Sequence, residues 1–281
     1  MNSSDKIDSN YLHIFLNHIY NLGYTYNIQN GASGLKNLDL NKYLETKIPI
    51  PEKIIQQKIV KEIELIEKRE IENKNTIAKL NSEIFEELQS SIQGKKKIKL
   101  DTICTIQSGG TPKREVAEYW NGTVNWLRSE VCQNCYVYES DGNEKISELG
   151  LSKSSAKLLK PDTILMALVG ATIGRVAYLT FEATTNQNIA GLYPKDSKQL
   201  IPKFLFYSLI NDFEKNFGSA KGKFTMANMT TIKNLEISLP SFEEQKKLVA
   251  IIDKKEKEIE KLKLALSTVE AEKEEVLKKY L

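Results

Sequence analysis

Ile48-Pro49-Ile50-Pro51-Glu52-Lys53-Ile54-Ile55-Gln56-Gln57-Lys58-Ile59-Val60 and Ile237-Ser238-Leu239-Pro240-Ser241-Phe242-Glu243-Glu244-Gln245-Lys246-Lys247-Leu248-Val249 are one pattern written twice. An offset of 189 residues, read from Pro51 to Pro240, also superposes Gln56 on Gln245. Proline disfavours the α region for the residue before it, so each lead-in reads as an extended segment that stops where a helix starts. Downstream of the second copy, Phe242 to Leu281 has neither Gly nor Pro. Leu248, Ile252, Ile259, Leu262, Leu266, Val269, Val276 and Tyr280 recur there at steps of three and four, with Lys255 and Lys273 in the gaps. Downstream of the first copy the seam is Ile59, Ile63, Ile66, Ile77, Leu80 and Ile84, interrupted by Glu70 and Asn73. These are heptad seams. A helix of about 40 residues is about 60 Å long, too long to be the core of a compact domain, so each must pack along the other.

The duplication extends upstream. Tyr11-Leu12-His13-Ile14-Phe15-Leu16 resembles Phe204-Leu205-Phe206-Tyr207-Ser208-Leu209, a short apolar helix in both places. Gly-containing stretches follow each, Asn30-Gly31-Ala32-Ser33-Gly34 and Ala220-Lys221-Gly222-Lys223.

Between the long helices the pattern changes at Gly94 and Lys95-Lys96-Lys97-Ile98-Lys99. Thr102–Gln107, Thr163–Val169, Arg175–Leu179 and Ile189–Tyr193 read as strands, the middle two joined through Gly170-Ala171-Thr172-Ile173-Gly174. Gly109-Gly110, Asn121-Gly122, Asp141-Gly142 and Lys160-Pro161-Asp162 read as turns, the glycines of the first permitting φ > 0. The expected architecture is α+β: a β-rich mixed domain of about 140 residues, which suits one core, plus two long helices.

Composition narrows the function. The chain has 281 residues, 41% hydrophobic and 27% charged, with a net charge of +3, too small to imply a polyanion partner by itself. No run approaches the roughly 18 apolar residues of a membrane span, and the first ten residues carry no apolar signal core, so an intracellular protein is expected. From Lys95 to Pro240 there are 19 basic against 14 acidic residues, so the excess charge sits in the β-rich domain. Cys104, Cys132 and Cys135 do not suit a disulfide framework, and Cys132-Gln133-Asn134-Cys135 lacks nearby ligands to complete a zinc site. His13 and His18 are five apart on a helix and face different sides, so no metal site is expected. Asp162, Asp196 and Lys198 imitate the acid–acid–lysine order of metal-dependent nucleases, but the last two lie in a polar loop, so no catalysis is assigned to them. Gly109-Gly110-Thr111-Pro112-Lys113 lacks the glycine spacing and Lys-Ser/Thr pair of a phosphate loop.

Several stretches in order carry a family resemblance. They are Gly109-Gly110-Thr111-Pro112 with Tyr119-Trp120 and Trp126, Gly150-Leu151-Ser152 to Ser155, and Gly170 to Gly174 with Arg175. Thr184-Thr185-Asn186-Gln187-Asn188 and the two Pro-(x4)-Gln lead-ins complete the set. Over essentially residues 94 to 281 the chain resembles the specificity (S, or HsdS) subunit of type I restriction–modification systems. The resemblance implies target recognition domains that each read half of a split DNA sequence. It also implies an antiparallel coiled coil that spaces them and docks methyltransferase subunits. It implies the division 1–51, remnant of a first recognition domain; 52–93, central long helix; 94–240, complete recognition domain; 241–281, C-terminal long helix. No Gly-Gly-Thr-Pro or Asn-Gln segment precedes Glu52, so the first recognition domain is expected to be truncated, in a fragment or a shortened gene product. A homodimer would restore two readers.

Under this resemblance the candidate DNA contacts are Thr111, Lys113, Arg128, Ser129, Thr172, Arg175, Asn186, Gln187, Lys221 and Lys223. Hydroxyl and ammonium groups hold phosphates, arginine reads guanine with two hydrogen bonds, and amides suit adenine edges. Asn186 and Gln187 also suit the plainer role of satisfying buried backbone groups in a loop. Trp120 and Trp126 read as core. The implied partners are double-stranded DNA, methyltransferase subunits using S-adenosylmethionine, and an ATP- and Mg-dependent restriction subunit. No cofactor is expected on this chain and no membrane association. A contrasting reading is a coiled-coil decoy that binds the modification subunits without productive DNA reading.

Overall fold

The computed structural model describes residues 6–31, 36–142, 144–212 and 227–281, which fall into two compact units, described separately below. Residues 1–80 and 256–281 form the first, residues 81–255 the second. The helices are α1 (Ser9–Asn21), α2 (Tyr24–Asn27), α3 (Leu40–Leu44), α4 (Lys53–Ile92), α5 (Leu100–Ile103), α6 (Glu148–Ser152), α7 (Pro202–Asn211), α8 (Met229–Asn234), α9 (Phe242–Ser267) and α10 (Val269–Tyr280). Helix α4 contributes to both units, as does α9.

In the first unit, the N-terminal part of α4 runs antiparallel to the C-terminal residues of the chain. Glu62 pairs with Lys279 at 2.9 Å, while one heptad on, Arg69 pairs with Glu272 and Glu70 with Lys273 at 3.3 Å, so the partner number falls as the α4 number rises from the first pair to the other two. Ile59, Ile63, Val276, Leu277 and Tyr11 of α1 form the buried centre. Of the expected seam, Ile63, Leu80, Ile259 and Val269 are buried, and Ile66, Ile77, Leu262 and Leu266 are half-buried at the positions the heptads assign. The C-terminal helix, expected to be continuous, is interrupted at Thr268, whose hydroxyl bonds both the Ala265 carbonyl and the Glu272 carboxylate. A hydroxyl that competes for local backbone partners weakens helical pairing in this way. Where the two seams are polar, they meet: Lys273 Nζ lies 3.3 Å from Glu70 and 3.7 Å from Glu67. A short ladder between β1 (Gln29–Asn30) and β2 (Asn37–Leu38) completes the unit.

The second unit holds a five-stranded sheet in the order β4 (Cys104–Ser108), β11 (Ile189–Pro194), β8 (Ile164–Ala167), β9 (Val176–Leu179), β6 (Cys135–Val137). All neighbours are antiparallel except β6 and β9. The four strands read from the sequence are four of these five. Three of them, β8, β9 and β11, are runs without polar alternation, as strands covered on both faces are, whereas β4 alternates between buried and exposed residues. A three-stranded sheet, β10 (Thr184–Thr185), β5 (Trp120–Leu127), β7 (Glu144–Ile146), stands beside it, and β12 (Glu236–Ser238) pairs with β3 (Lys97–Lys99). Helix α7 buries six successive residues, Phe204 to Leu209, with Phe206 against Tyr136 and Tyr178 of the sheet. The last turns of α4 and the start of α9 form the helical side. Ile84 and Leu88 are buried there together with Leu248 and Ile252, and Lys255 pairs with Glu83.

The repeated glutamines explain themselves. Both are fully buried. Gln56 accepts from the Asp8 N–H (2.7 Å) and donates to the carbonyls of Lys6 (2.9 Å) and Pro51 (2.8 Å). Gln245 accepts from the Ile201 N–H (3.0 Å) and donates to the carbonyls of Gln199 (2.9 Å) and Pro240 (3.1 Å). One carboxamide therefore ties the start of the short helix to the start of the long one, in each unit. Two details differ from the sequence reading. The second lead-in is a paired strand, β12, whereas Lys47 to Pro51 joins no ladder. Gly109 and Gly110 are not among the glycines with positive φ.

Replacing Gln245 by Leu should orphan one buried N–H and two carbonyls and cost about 2 kcal/mol or more, since each unmade buried bond costs about 1–3 kcal/mol. Chemical denaturation measures this, and a loss below about 0.5 kcal/mol would contradict the role. A second expectation concerns pH. Glu70 is held below its ordinary value of 4.5 by Lys74 first and, against the raising effect of burial, by Lys273. For Lys273, burial pulls downward, but Glu70, Glu270 and Glu67 more than offset it and raise the amine above 10.5. The Glu70 contribution is complete above 4.5 and disappears as pH falls through the lowered folded value. The Lys273 contribution is complete below 10.5 and disappears as pH rises through the raised one. Urea midpoints of Glu70→Gln should therefore show a flatter acid limb than those of the parent; identical acid limbs would refute the pairing.

Candidate nucleic-acid interface

The turn at Gly109-Gly110 is built for close approach. A Cβ on Gly109 would fall 2.2 Å from the Asn186 carbonyl oxygen, and one on Gly110 2.3 Å from Ser155 Oγ. Their amides donate to Ile189 O (3.1 Å) and Thr185 O (2.8 Å). Trp126 is buried and its indole N–H donates to Gly110 O at 2.9 Å. The loop that follows is thus clamped at its root, and Pro112 is buried within it.

From that root a connected set of side chains runs over the surface. Thr111 Oγ1 donates to Gln187 Oε1 (2.5 Å). Lys113 is exposed, and its carbonyl accepts from the indole of Trp120 (3.1 Å). Trp120 is half-buried, edge-on to Trp126 at 5.2 Å and 87°. The Arg114 guanidinium lies 3.7 Å above the Trp120 ring and 4.8 Å from the Trp126 ring. Glu144 on β7 accepts from both Arg114 and Arg128. Burial alone would raise the Glu144 carboxyl; the two guanidiniums outweigh that and keep it below the usual carboxylate range.

The strand beneath is bulged: Trp120 and Val124 both register with Ile146, so Asn121-Gly122-Thr123 stand out of the ladder, with Asn121 at φ 59°. The sequence reads Asn121-Gly122 as a turn between strands; it is a bulge inside one. Bulges re-aim side chains and mark functional edges. Beside it lies a cavity of about 420 Å³ lined by Arg114, Trp120, Asn121, Gly142, Glu144 and Lys145, and Glu144 also lines a second of about 310 Å³ with Arg128.

Of the expected contacts, Thr111, Lys113, Arg128 and Gln187 belong to this set. Ser129 opens the 3-10 turn after Arg128. Arg175 donates to Gln133 (2.6 Å), which donates to the Glu130 carbonyl (3.1 Å) in that same turn. Thr172 closes the 3-10 turn between β8 and β9 and accepts from the Arg175 N–H (2.8 Å). Asn186 is buried and its Oδ1 accepts from the Asn188 N–H (3.1 Å), so it shapes the loop from inside. Lys221 and Lys223 lie outside the described residues. Sequence reasoning passed over Arg114 and Glu144. The available signal was arginine's rarity, at four of the 40 basic residues.

The remaining candidates are occupied otherwise. Asp162 accepts from the Tyr178 hydroxyl (2.7 Å), and Asp196 caps its own loop through the Lys198 N–H (2.8 Å). Burial pushes the Cys104 thiol up to about 12 and raises that of Cys132 further, so both are poor ligands at neutral pH. Among the described residues no group of three or more His, Cys, Asp or Glu could hold a metal ion, and no helix is long and apolar enough to cross a membrane.

Comparison with known proteins closes the identification. The fold is that of two solved structures: the HsdS subunit from Thermoanaerobacter tengcongensis (TM-score 0.54, 19% identity, 99% of this chain and 70% of that one) and the type I restriction–modification S subunit from M. genitalium (0.58, 17%, 98% and 73%). Over 159 residues the chain is 30% identical to the type I restriction enzyme MjaIX specificity subunit of Methanocaldococcus jannaschii, a match covering 55% of this chain and 36% of that relative. The chain thus matches about a third of the length of that curated relative. Residues 93–267 match the family model of the type I restriction modification DNA specificity domain. The chain belongs to the type I restriction–modification DNA specificity family.

Proposed function

We propose that the chain is a non-catalytic DNA-reading subunit of a type I restriction–modification complex, working in the cytoplasm. The observation that carries this reading is the side-chain network from Gln187 through Thr111, Trp120 and Arg114 to Arg128, fixed on a rigid β frame within the region that matches the specificity-domain model. Hydroxyl, amide, ammonium and guanidinium groups on rigid supports are the groups that hold phosphates and read base edges. Catalysis would then belong to partners: methyltransferase subunits with S-adenosylmethionine, and a restriction subunit with ATP and Mg. The paired helices offer a long charged surface on which those subunits dock.

Methylation profiling of a host expressing the chain with the methyltransferase subunits encoded beside it should show one new modified motif, absent without the chain. A host whose methylome does not change would overturn the reading. A finer expectation concerns the electrostatic part. Reversing Lys113 and Arg175 together should weaken binding to every duplex and reduce the salt slope by about two, since each phosphate contact contributes about 0.9. Anisotropy titrations across salt concentrations test it, and a loss confined to one sequence at constant slope would contradict it.

A further inference from the structure

Arginine is scarce in this chain, four against 36 lysines, and two of the four converge on one carboxylate. A surface needing only positive charge is served by lysine; arginine adds a planar fork of five N–H donors. Glu144 takes donors from Nη1 of Arg114 and Nη2 of Arg128, which leaves the remaining N–H groups of each guanidinium unclaimed by it. Trp120, 3.7 Å beneath Arg114, prevents that plane from tilting. Both arginines are about half exposed, at 48% and 53%, whereas Glu144 is 25% exposed. The carboxylate is set back and the guanidiniums stand forward.

Behind the wall of the cavity beside them lies a buried carboxamide. Asn125 is 93% buried, its amide N–H₂ donates to Glu139 (3.2 Å), and its Oδ1 has no hydrogen-bond partner. That oxygen would lie 3.8 Å from a Cβ on Gly142, a residue of the cavity wall. A buried acceptor without a donor is costly unless something supplies one.

Resting on the proposed function, we propose that Arg114 is a base-reading residue for guanine, and that Glu144 is the positioning residue that holds Arg114 and Arg128 as a paired guanidinium fork. The ligand is the major-groove edge of a G·C pair, whose O6 and N7 accept two parallel N–H bonds from one arginine. The opposite edge of each guanidinium stays on Glu144, so little side-chain freedom is lost on binding.

The test uses the full chain with its methyltransferase subunits, reading the methylated motif in cells and, in vitro, the affinity ratio between the marked duplex and one with its guanines replaced. Arg114→Lys keeps the charge and loses the fork. It should relax the motif at a guanine position and cut the ratio roughly ten-fold or more, the scale of one bidentate contact, while binding to unrelated duplex stays unchanged. Glu144→Gln removes a negative charge and the second anchor. It should raise binding to unrelated duplex yet lower the ratio, a split that a merely structural residue would not give. If Arg114→Lys marks the parent motif at the parent ratio, the contact is a point charge on phosphate and the inference falls. If Glu144→Gln fails to fold, Arg114→Lys alone decides. A parent chain that marks no site overturns the proposed function and this inference together; a parent that marks a site indifferent to both substitutions overturns only the inference.

Discussion

A single carboxamide, buried twice, organises the chain. Gln56 and Gln245 each join three backbone groups from two segments that sequence keeps 44 to 50 residues apart. Each satisfies groups at helix starts that would otherwise be stranded, because an N–H or carbonyl buried without a partner costs more than the bond itself contributes. A shorter or apolar side chain there leaves the same three groups facing nothing. The long helix, the short helix and the extended lead-in therefore take a fixed mutual direction at both places, and the packing of Tyr11 in one unit and of the Phe204–Leu209 run in the other follows from it.

On that foundation the two units diverge for a physical reason. Helix α7 lies against the five-stranded sheet and buries six residues in a row, while its counterpart α1 buries only Tyr11 and Phe15. The same helix start therefore serves a β-rich domain in one place and a plain helical cap in the other. Large apolar side chains of the first unit, among them Tyr20, Leu22, Tyr26 and Leu44, stand exposed accordingly.

Much of this was legible in the sequence because periodicity reports burial directly. Ile63, Ile259 and Val269 occupy buried positions because a 3.5-residue repeat allows no other face, and the apolar strands β8, β9 and β11 announce themselves by lacking polar alternation. Polar interruptions at Glu70 and Lys273 were visible, but their pairing was not, since register across two helices depends on turn geometry remote from either residue. The interface was less legible still. Gly109 and Gly110 suggested a left-handed turn, yet the demand on them is a close approach to Asn186 and Ser155, set by chain segments about 45 to 75 residues away. Asn121-Gly122 read as a turn because the pair is favoured there, while the partner strand β7 makes it a bulge. Arg114 and Glu144 are 30 residues apart, and only the sheet brings them together.

The meeting of Lys273 with Glu70 has a consequence for how such a gene can change. Shifting one helix past the other by seven residues would set the ammonium of Lys273 against Ile63 or Ile77, an uncompensated ion facing an aliphatic ridge. An insertion or deletion in either rod alone is therefore disfavoured, even when it preserves the apolar repeat. Length variation has to arrive in both rods at once, or bring a relocated charge pair with it, so the two distant stretches of coding sequence evolve as one.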